Sequence, residues 1–378
     1  MRSPQGSVLG PLLFLLYIND LPNISEKLTF FLFADDTNIY YESKNLEELE
    51  KTVNEELKKL SLWLNINRLA LNVSKTNFVI FRSPSKKSNR NVTLVMNKKA
   101  LQQKDHVKYL GVLLDEHLNW KYQINNVALK ISRGIGILAK LKPFLKDNLL
   151  RSIYFSLVYS HLSYGIHAWG SANKTTLNKL VILQNKAVRI LSHVQYFQIY
   201  GQEPGPLPSA EPLFKNLSIL KISDIFRLSI ANFVYSTLDF ESPRIFHDWF
   251  VFNHEIYDYS TRLNAVITQE HHFDIGVVQH SLSLHTKGYK NSFGQNMIRV
   301  SGPLIWNSIP EIIQKSTSIQ SFKAKLKKHL LGVFNENDNN IHVNNRRARN
   351  NNYGQLTDEN RQNRVFQSRW DEGRVNLI

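Results

Sequence analysis

The sequence predicts an α+β protein. Three observations carry that expectation: an apolar hairpin with adjacent acids, Asp35 and Asp36, near its tip; further short strands up to about residue 114; and amphipathic helices from about residue 120 onward. The chain has 378 residues, 42% hydrophobic and 21% charged, an ordinary globular balance over a length that suits roughly two or three domains.

The Gly- and Pro-punctuated residues 4–11 lead into an apolar helix from Leu12 to Ile18 that ends before Pro22, and its lack of polar residues predicts burial. Thr29 to Ala34 reads as a strand, Asp35-Asp36 as the turn, and Thr37 to Tyr41 as the returning strand. Leu46, Leu49, Val53, Leu57, Leu60 and Leu64 recur at three- and four-residue intervals, the stripe of an amphipathic helix. Asn45 is its N-cap, Glu48 completes a capping box, and Glu47 sits favourably at the positive end of the helix dipole.

Asn77 to Phe81 then predicts a strand and 83–91 a polar, basic loop. Val92 to Met96 and Lys99 to Leu101 form a hairpin turned at Asn97-Lys98, and Val107 to Leu114 is another strand. Ile124, Val127, Ile131, Ile135 and Leu138 stripe one helix; Leu177, Leu180, Gln184, Ala187 and Ile190 stripe another. The Pro- and Gly-rich stretch from Tyr200 to Ala210 is the linker, with helices near Leu213 to Tyr235 and Ser318 to Leu331 beyond it. Past Phe334, Asn and Arg dominate, a composition that predicts disorder.

Lys and Arg number 47 against 31 Asp and Glu, for a net charge of +16, which points to a polyanionic partner, nucleic acid first. The basic residues spread from Lys44 to Arg374 rather than gathering on one amphipathic helix, so no membrane partner is expected. No apolar run approaches the roughly 20 residues that span a bilayer, and Leu12 to Ile18 lacks the flanks of a signal peptide. The absence of cysteine removes disulfides, thiolate chemistry and Cys-ligated zinc, and fits an intracellular protein of the nucleus or cytoplasm. His271, His272, His280 and His285 match no zinc spacing, and nothing resembles a P-loop or a nucleophile elbow.

Adjacent acids at a hairpin tip repel unless solvent or a divalent cation compensates them. Taken alone, such a pair is also an ordinary solvated turn. The neighbouring residues favour the cation: Pro4-Gln5-Gly6-Ser7-Val8-Leu9-Gly10-Pro11, Tyr17-Ile18-Asn19-Asp20-Leu21-Pro22 and Phe33-Ala34-Asp35-Asp36-Thr37 come in order. Leu71-Asn72 with Ser74-Lys75-Thr76, and then Tyr109-Leu110-Gly111-Val112, follow them. Together these resemble the motifs of reverse transcriptases from non-LTR (LINE-type, jockey-like) retrotransposons, and the likeness continues as far as Leu331.

The resemblance implies a partial polymerase palm followed by a helical, thumb-like region and a mixed, mostly helical C-terminal region. It implies that Asp35 and Asp36 hold Mg²⁺ in a two-metal nucleotidyl transfer, with an RNA template, a DNA primer and a deoxynucleoside triphosphate as partners. Gln5, Gly6, Phe33 and Ala34 would line the nucleotide and template pocket, Lys75 would act at the triphosphate, and Tyr109, Leu110, Gly111 and Val112 would grip the primer. The corresponding division is a palm over 1–117, a thumb-like region over 118–197, a linker over 198–210, a region of unspecified role over 211–333 and a tail over 334–378. Lys140, Lys142, Lys146, Arg151, Lys174, Lys179, Lys186 and Arg189 suit phosphate contacts, although a solvated helix face would look the same. The likeness starts at the family's second motif, so the expectation is a chain without the palm strand that supplies the remaining catalytic Asp, inactive alone. The alternative is a non-catalytic nucleic-acid-binding remnant.

Overall fold

The computed structural model describes residues 9–73, 75–85, 91–192, 209–256, 265–266, 279–280, 282–286, 288, 294, 296–333 and 375–377. They are mixed helix and strand, as the α+β expectation requires, and they divide into two compact units, Met1–Tyr122 with Arg347–Ile378, and Gln123–Arg346.

In the first unit, helix α1 (Leu9–Ile18) precedes a 3₁₀ turn at Leu21–Ile24, where Pro22 occupies one of the first helical positions. Strands β1 (Thr29–Phe33) and β2 (Asp36–Ser43) pair antiparallel, Thr29 opposite Tyr40 and Phe33 opposite Asp36. Helix α2 (Leu46–Ile66) packs its predicted stripe inward: Leu49, Val53, Leu57, Leu60 and Leu64 are buried and Leu46 partly so. Burying each such side chain contributes about 1.5–3 kcal/mol, so this face anchors the unit. The Asn45 side chain accepts from the Glu47 N–H at 2.9 Å. The reciprocal half of the cap runs through a neighbour, because the Asn45 N–H donates to Ser43 Oγ and Ser43 donates to Glu48 at 2.7 Å.

Residues 77–81, expected as one strand, are two: β3 (Asn77–Phe78) and β4 (Ile80–Phe81). A hydrophobic run shows where the chain is buried but not which partners its backbone takes. Hairpin β5 (Val95–Met96) and β6 (Lys99–Ala100) turns at Asn97-Lys98 as expected, both residues left-handed with φ of 49° and 63°. Strand β7 (Gln102–Gln103) runs parallel to β3. The expected strand at 107–114 is a hairpin, β8 (His106–Tyr109) and β9 (Val112–Asp115), turned at Leu110 (φ 42°) and Gly111 (φ 85°). Glycine meets the second left-handed position without strain, whereas Leu110 bears it.

The second unit is mainly helical. Helix α3 (Lys121–Leu141) crosses the boundary and buries Ile124, Val127, Ile131, Ile135 and Leu138, all five predicted. Then come α4 (Asp147–Tyr154), a π-helical segment at Phe155–Tyr159, α5 (Ser160–Ser163), α6 (Ile166–Trp169) and α7 (Lys174–Leu191). Gln184 of α7 is buried and saturated: its amide donates to Tyr154 Oη and to the Leu220 carbonyl, and its oxygen accepts from the Ile222 N–H. The linker expected over 198–210 falls almost wholly outside the described residues. The helix expected over 213–235 is broken into α8 (Glu211–Asn216) and α9 (Ile222–Leu238), with Ser218 left-handed between them. Helix α10 (Ile298–Asn307) and helix α11 (Ile319–Leu330), N-capped by Ser318, complete an aromatic core with α9 in which Tyr235, Trp306 and Phe322 stack. Strands β10 (Ala265–Val266) and β11 (Gln279–His280) pair antiparallel.

One expectation about α1 is overturned. Leu9, Leu12, Leu13 and Leu16 are 63%, 55%, 60% and 67% exposed, and within the helix Ile18 alone is buried. A helix apolar on every side needs protein on every side, and this unit packs only Phe14 and Ile18 against its core. Within the tail, Val375–Leu377 forms a strand, β12, in the same sheet as β2, while the rest of 334–378 lies outside the described residues.

Candidate functional site

The hairpin of β1 and β2 sorts its side chains by strand alternation. Phe30, Leu32, Ile39 and Tyr41 pack against the core, whereas Phe31 and Phe33 are 48% and 60% exposed. Phe33 lies opposite Asp36 and Phe31 opposite Asn38, so Asp36 shares the solvent face with two uncovered aromatic rings. The turn is Ala34-Asp35, one residue earlier than the sequence predicts, and Asp36 is the first residue of β2. Ala34 is left-handed, φ 52°, a conformation that costs an L-residue about 1–2 kcal/mol. Ala34, Asp35 and Asp36 are all exposed.

The structure thus places the acids on consecutive residues at one turn, exposed to solvent beside Phe33. No group of three or more His, Cys, Asp or Glu able to hold a metal ion occurs among the described residues. Two carboxylates still suit Mg²⁺, which commonly takes one or two carboxylates and completes its shell with water and substrate phosphates. Gln5 and Gly6 lie outside the described residues. Lys75 is exposed on the loop before β3, its N–H donating to the Asn72 carbonyl at 3.0 Å. Tyr109, Leu110, Gly111 and Val112 form the half-buried tip of the β8–β9 hairpin, a two-stranded sheet of its own.

That second hairpin rests on residues the sequence reading passed over. Asp115, at the end of β9, is 2% exposed. Its carboxylate accepts three backbone N–H groups: His117 at 3.2 Å and Asn119 at 3.0 Å on Oδ1, Trp120 at 2.8 Å on Oδ2. These bonds wind 115–120 into a tight loop in which Leu118 and Trp120 are left-handed. Arg82 donates to Glu116 at 3.3 Å, tying the loop to the end of β4. At the start of β8, Asp105 accepts from Tyr122 Oη at 2.6 Å and lies 2.7 Å from His106 Nδ1, while the His106 and Tyr122 rings stack at 4.2 Å. The Tyr122 hydroxyl first, and then His106, hold the Asp105 carboxyl below its usual range, and the same bond pushes the Tyr122 phenol up. An Asp closing a strand ahead of an Asn-containing loop was the available signal for the Asp115 turn.

Helices α3 and α7 contain no Asp or Glu. Lys130, Arg133 and Lys140 on α3, and Lys174, Lys179 and Lys186 on α7, are exposed. Lys179 donates to Asn125 Oδ1 at 2.9 Å and Lys142 to the Ile190 carbonyl at 2.6 Å, so the helices run side by side in the same direction.

Residues 1–114 match the family model for reverse transcriptase (RNA-dependent DNA polymerase). The chain is 28% identical over 202 residues to the probable RNA-directed DNA polymerase from transposon X-element of Drosophila melanogaster, covering 51% of this chain and 22% of that protein. It is 29% identical over 208 residues to the RNA-directed DNA polymerase from mobile element jockey and 30% identical over 204 residues to the probable RNA-directed DNA polymerase from transposon BS, both of Drosophila melanogaster, with the same coverage of 51% and 22%. The matched part thus spans 22% of the length of these curated relatives. No solved structure matches.

Proposed function

We propose, from the premise that residues 1–114 belong to the reverse transcriptase family of non-LTR retrotransposons, that this chain is a piece of an RNA-directed DNA polymerase in which Asp35 and Asp36 are the metal-binding acids. The observation that carries this reading is the turn itself: consecutive exposed carboxylates on a strained left-handed bend beside an uncovered aromatic face. Backbone strain persists where surrounding structure holds it, and it clusters at functional sites. Mg²⁺ held by Asp35 and Asp36 would neutralise the phosphates of an incoming nucleotide. Phe31 and Phe33 offer ring faces on which a base can stack, and Lys75 offers a cation to the triphosphate. Leu110 and Gly111, at the tip braced through Asp115, would set the primer terminus.

What supports reading the polypeptide alone as inactive in nucleotide incorporation is that no group of three or more His, Cys, Asp or Glu able to hold a metal ion occurs among the described residues. Geometry for two metals requires ligands held to within about half an ångström. The acid-free pair α3 and α7 favours a second activity that survives without chemistry, sequence-independent binding of nucleic-acid backbone. Primer extension on an RNA template with Mg²⁺, beside a titration of duplex binding against salt, separates the readings. The expected outcome is binding that weakens steeply as salt rises, with no extension. Extension abolished by Asp35→Asn would restore full catalysis to this chain, and salt-independent binding would remove the nucleic-acid role.

A further inference from the structure

The sheet that carries the acidic hairpin has an occupant drawn from the other end of the chain. Its order is β1, β2, β12, β4, so Val375–Leu377 lies between β2 and β4. Strand β12 is antiparallel to both neighbours: Val375 pairs with Ser43, Asn376 with Glu42 and Phe81, and Leu377 with Tyr41 and Ile80. Adjacent strands stand about 4.8 Å apart, which sets β2 and β4 roughly two such spacings apart, a gap one strand wide. With β12 in place, the residues of β2 and β4 that flank it are largely enclosed, Ser43, Ile80 and Phe81 being 7%, 6% and 6% exposed. Backbone groups there need partners that water cannot readily supply.

We propose that the gap between β2 and β4 is a strand-acceptor slot and that residues 375–377 of the same chain are its resident occupant. Main-chain pairing on both sides is the recognition mode, the one by which extended peptides add to open sheets elsewhere. The strand belongs to the same polypeptide as β2 and β4, so its effective concentration at the slot exceeds that of a free peptide. Three residues form a small docked element, so β12 opens more readily than β1 and β2 do. Its position has a consequence for the site: β12 clamps the far end of the strand that begins at Asp36, with β1 on the other side.

The chain contains no cysteine, so an introduced pair reports proximity without background. In the full-length double variant Glu42→Cys with Asn376→Cys, the two positions face each other across an antiparallel ladder, within the Cα separation a disulfide accepts. Mild oxidation is expected to give a disulfide within one chain, formed about tenfold or more faster than in a control pairing Glu42→Cys with Gln355→Cys, given the high effective concentration of a docked element. Equal rates would overturn the proposal. A disulfide found only between chains would overturn it as well, by assigning the slot to a second copy. Independently, Asn376→Pro in the full chain should lower amide-exchange protection at Tyr41–Ser43 and Ile80–Phe81 while the Phe31–Asn38 pairing stays protected. Unchanged protection at those segments refutes the docking.

Discussion

Replacing Asp115 tests the claim that one buried carboxylate organises the loop behind the β8–β9 hairpin. Its two oxygens accept three backbone N–H groups, of His117, Asn119 and Trp120. Hydrogen bonds to a charged acceptor contribute about 1.5–3 kcal/mol each and are less than additive within one group, so Asp115→Ala should cost about 3–5 kcal/mol. Asp115→Asn keeps one acceptor oxygen. With that oxygen in the Oδ1 position, two bonds survive and the amide opposes the Trp120 N–H, a loss of about 1.5–3 kcal/mol. Leu118 and Trp120, at φ 48° and 66°, hold left-handed conformations that cost about 1–2 kcal/mol each, so a weakened loop relaxes instead of keeping its shape. Amide exchange at His117, Asn119 and Trp120, alongside urea unfolding followed by tryptophan fluorescence, measures both effects. An alanine variant within about 1 kcal/mol of the parent would refute the reasoning, as would an asparagine variant as damaging as alanine.

Gly134 of α3 abuts the π-helical segment, where an added Cβ would meet the Leu157 carbonyl oxygen at 2.8 Å and Leu157 Cβ at 3.1 Å. Alanine normally favours a helix by about 1 kcal/mol over glycine, but here the opposing atoms include backbone, so Gly134→Ala should lower stability by about 1–3 kcal/mol in a thermal melt. Burial pushes the His167 imidazole below its usual pKa, against a hydrogen bond with Ser229 that works the other way. A lowered folded pKa means that the unfolded chain binds the proton first: the stability tied to neutral His167 is complete above about pH 6.5 and declines as pH falls through the lowered value. His167→Gln should flatten that slope in urea midpoints measured between about pH 7 and 5, and an unaltered slope would place the dependence elsewhere.

Much was legible in the sequence because periodicity and caps are local. The stripes of α2 and α3, the Asn45 and Ser318 ends and the Asn97-Lys98 turn all follow from residues within a few positions of one another. The acidic pair was legible too, displaced by one residue, because strand alternation determines which side chains share a face while the turn's exact place depends on Ala34 accepting a left-handed bend. The break at Leu110-Gly111 was visible as a motif and invisible to hydrophobicity, since an apolar run looks alike whether straight or folded back.

Sequence alone therefore determined the acids, the basic excess, the main helices and the likeness to copying enzymes of mobile elements, all properties written in residue type and short spacing. The tertiary structure decided which backbones pair. It split 77–81 between two sheets, left α1 largely uncovered, wound six residues around the Asp115 carboxylate and set 375–377 between β2 and β4. Hydrogen-bond partners distant in the chain carry no signature at either end, because every backbone offers the same donor and acceptor, and only the packed geometry selects among them.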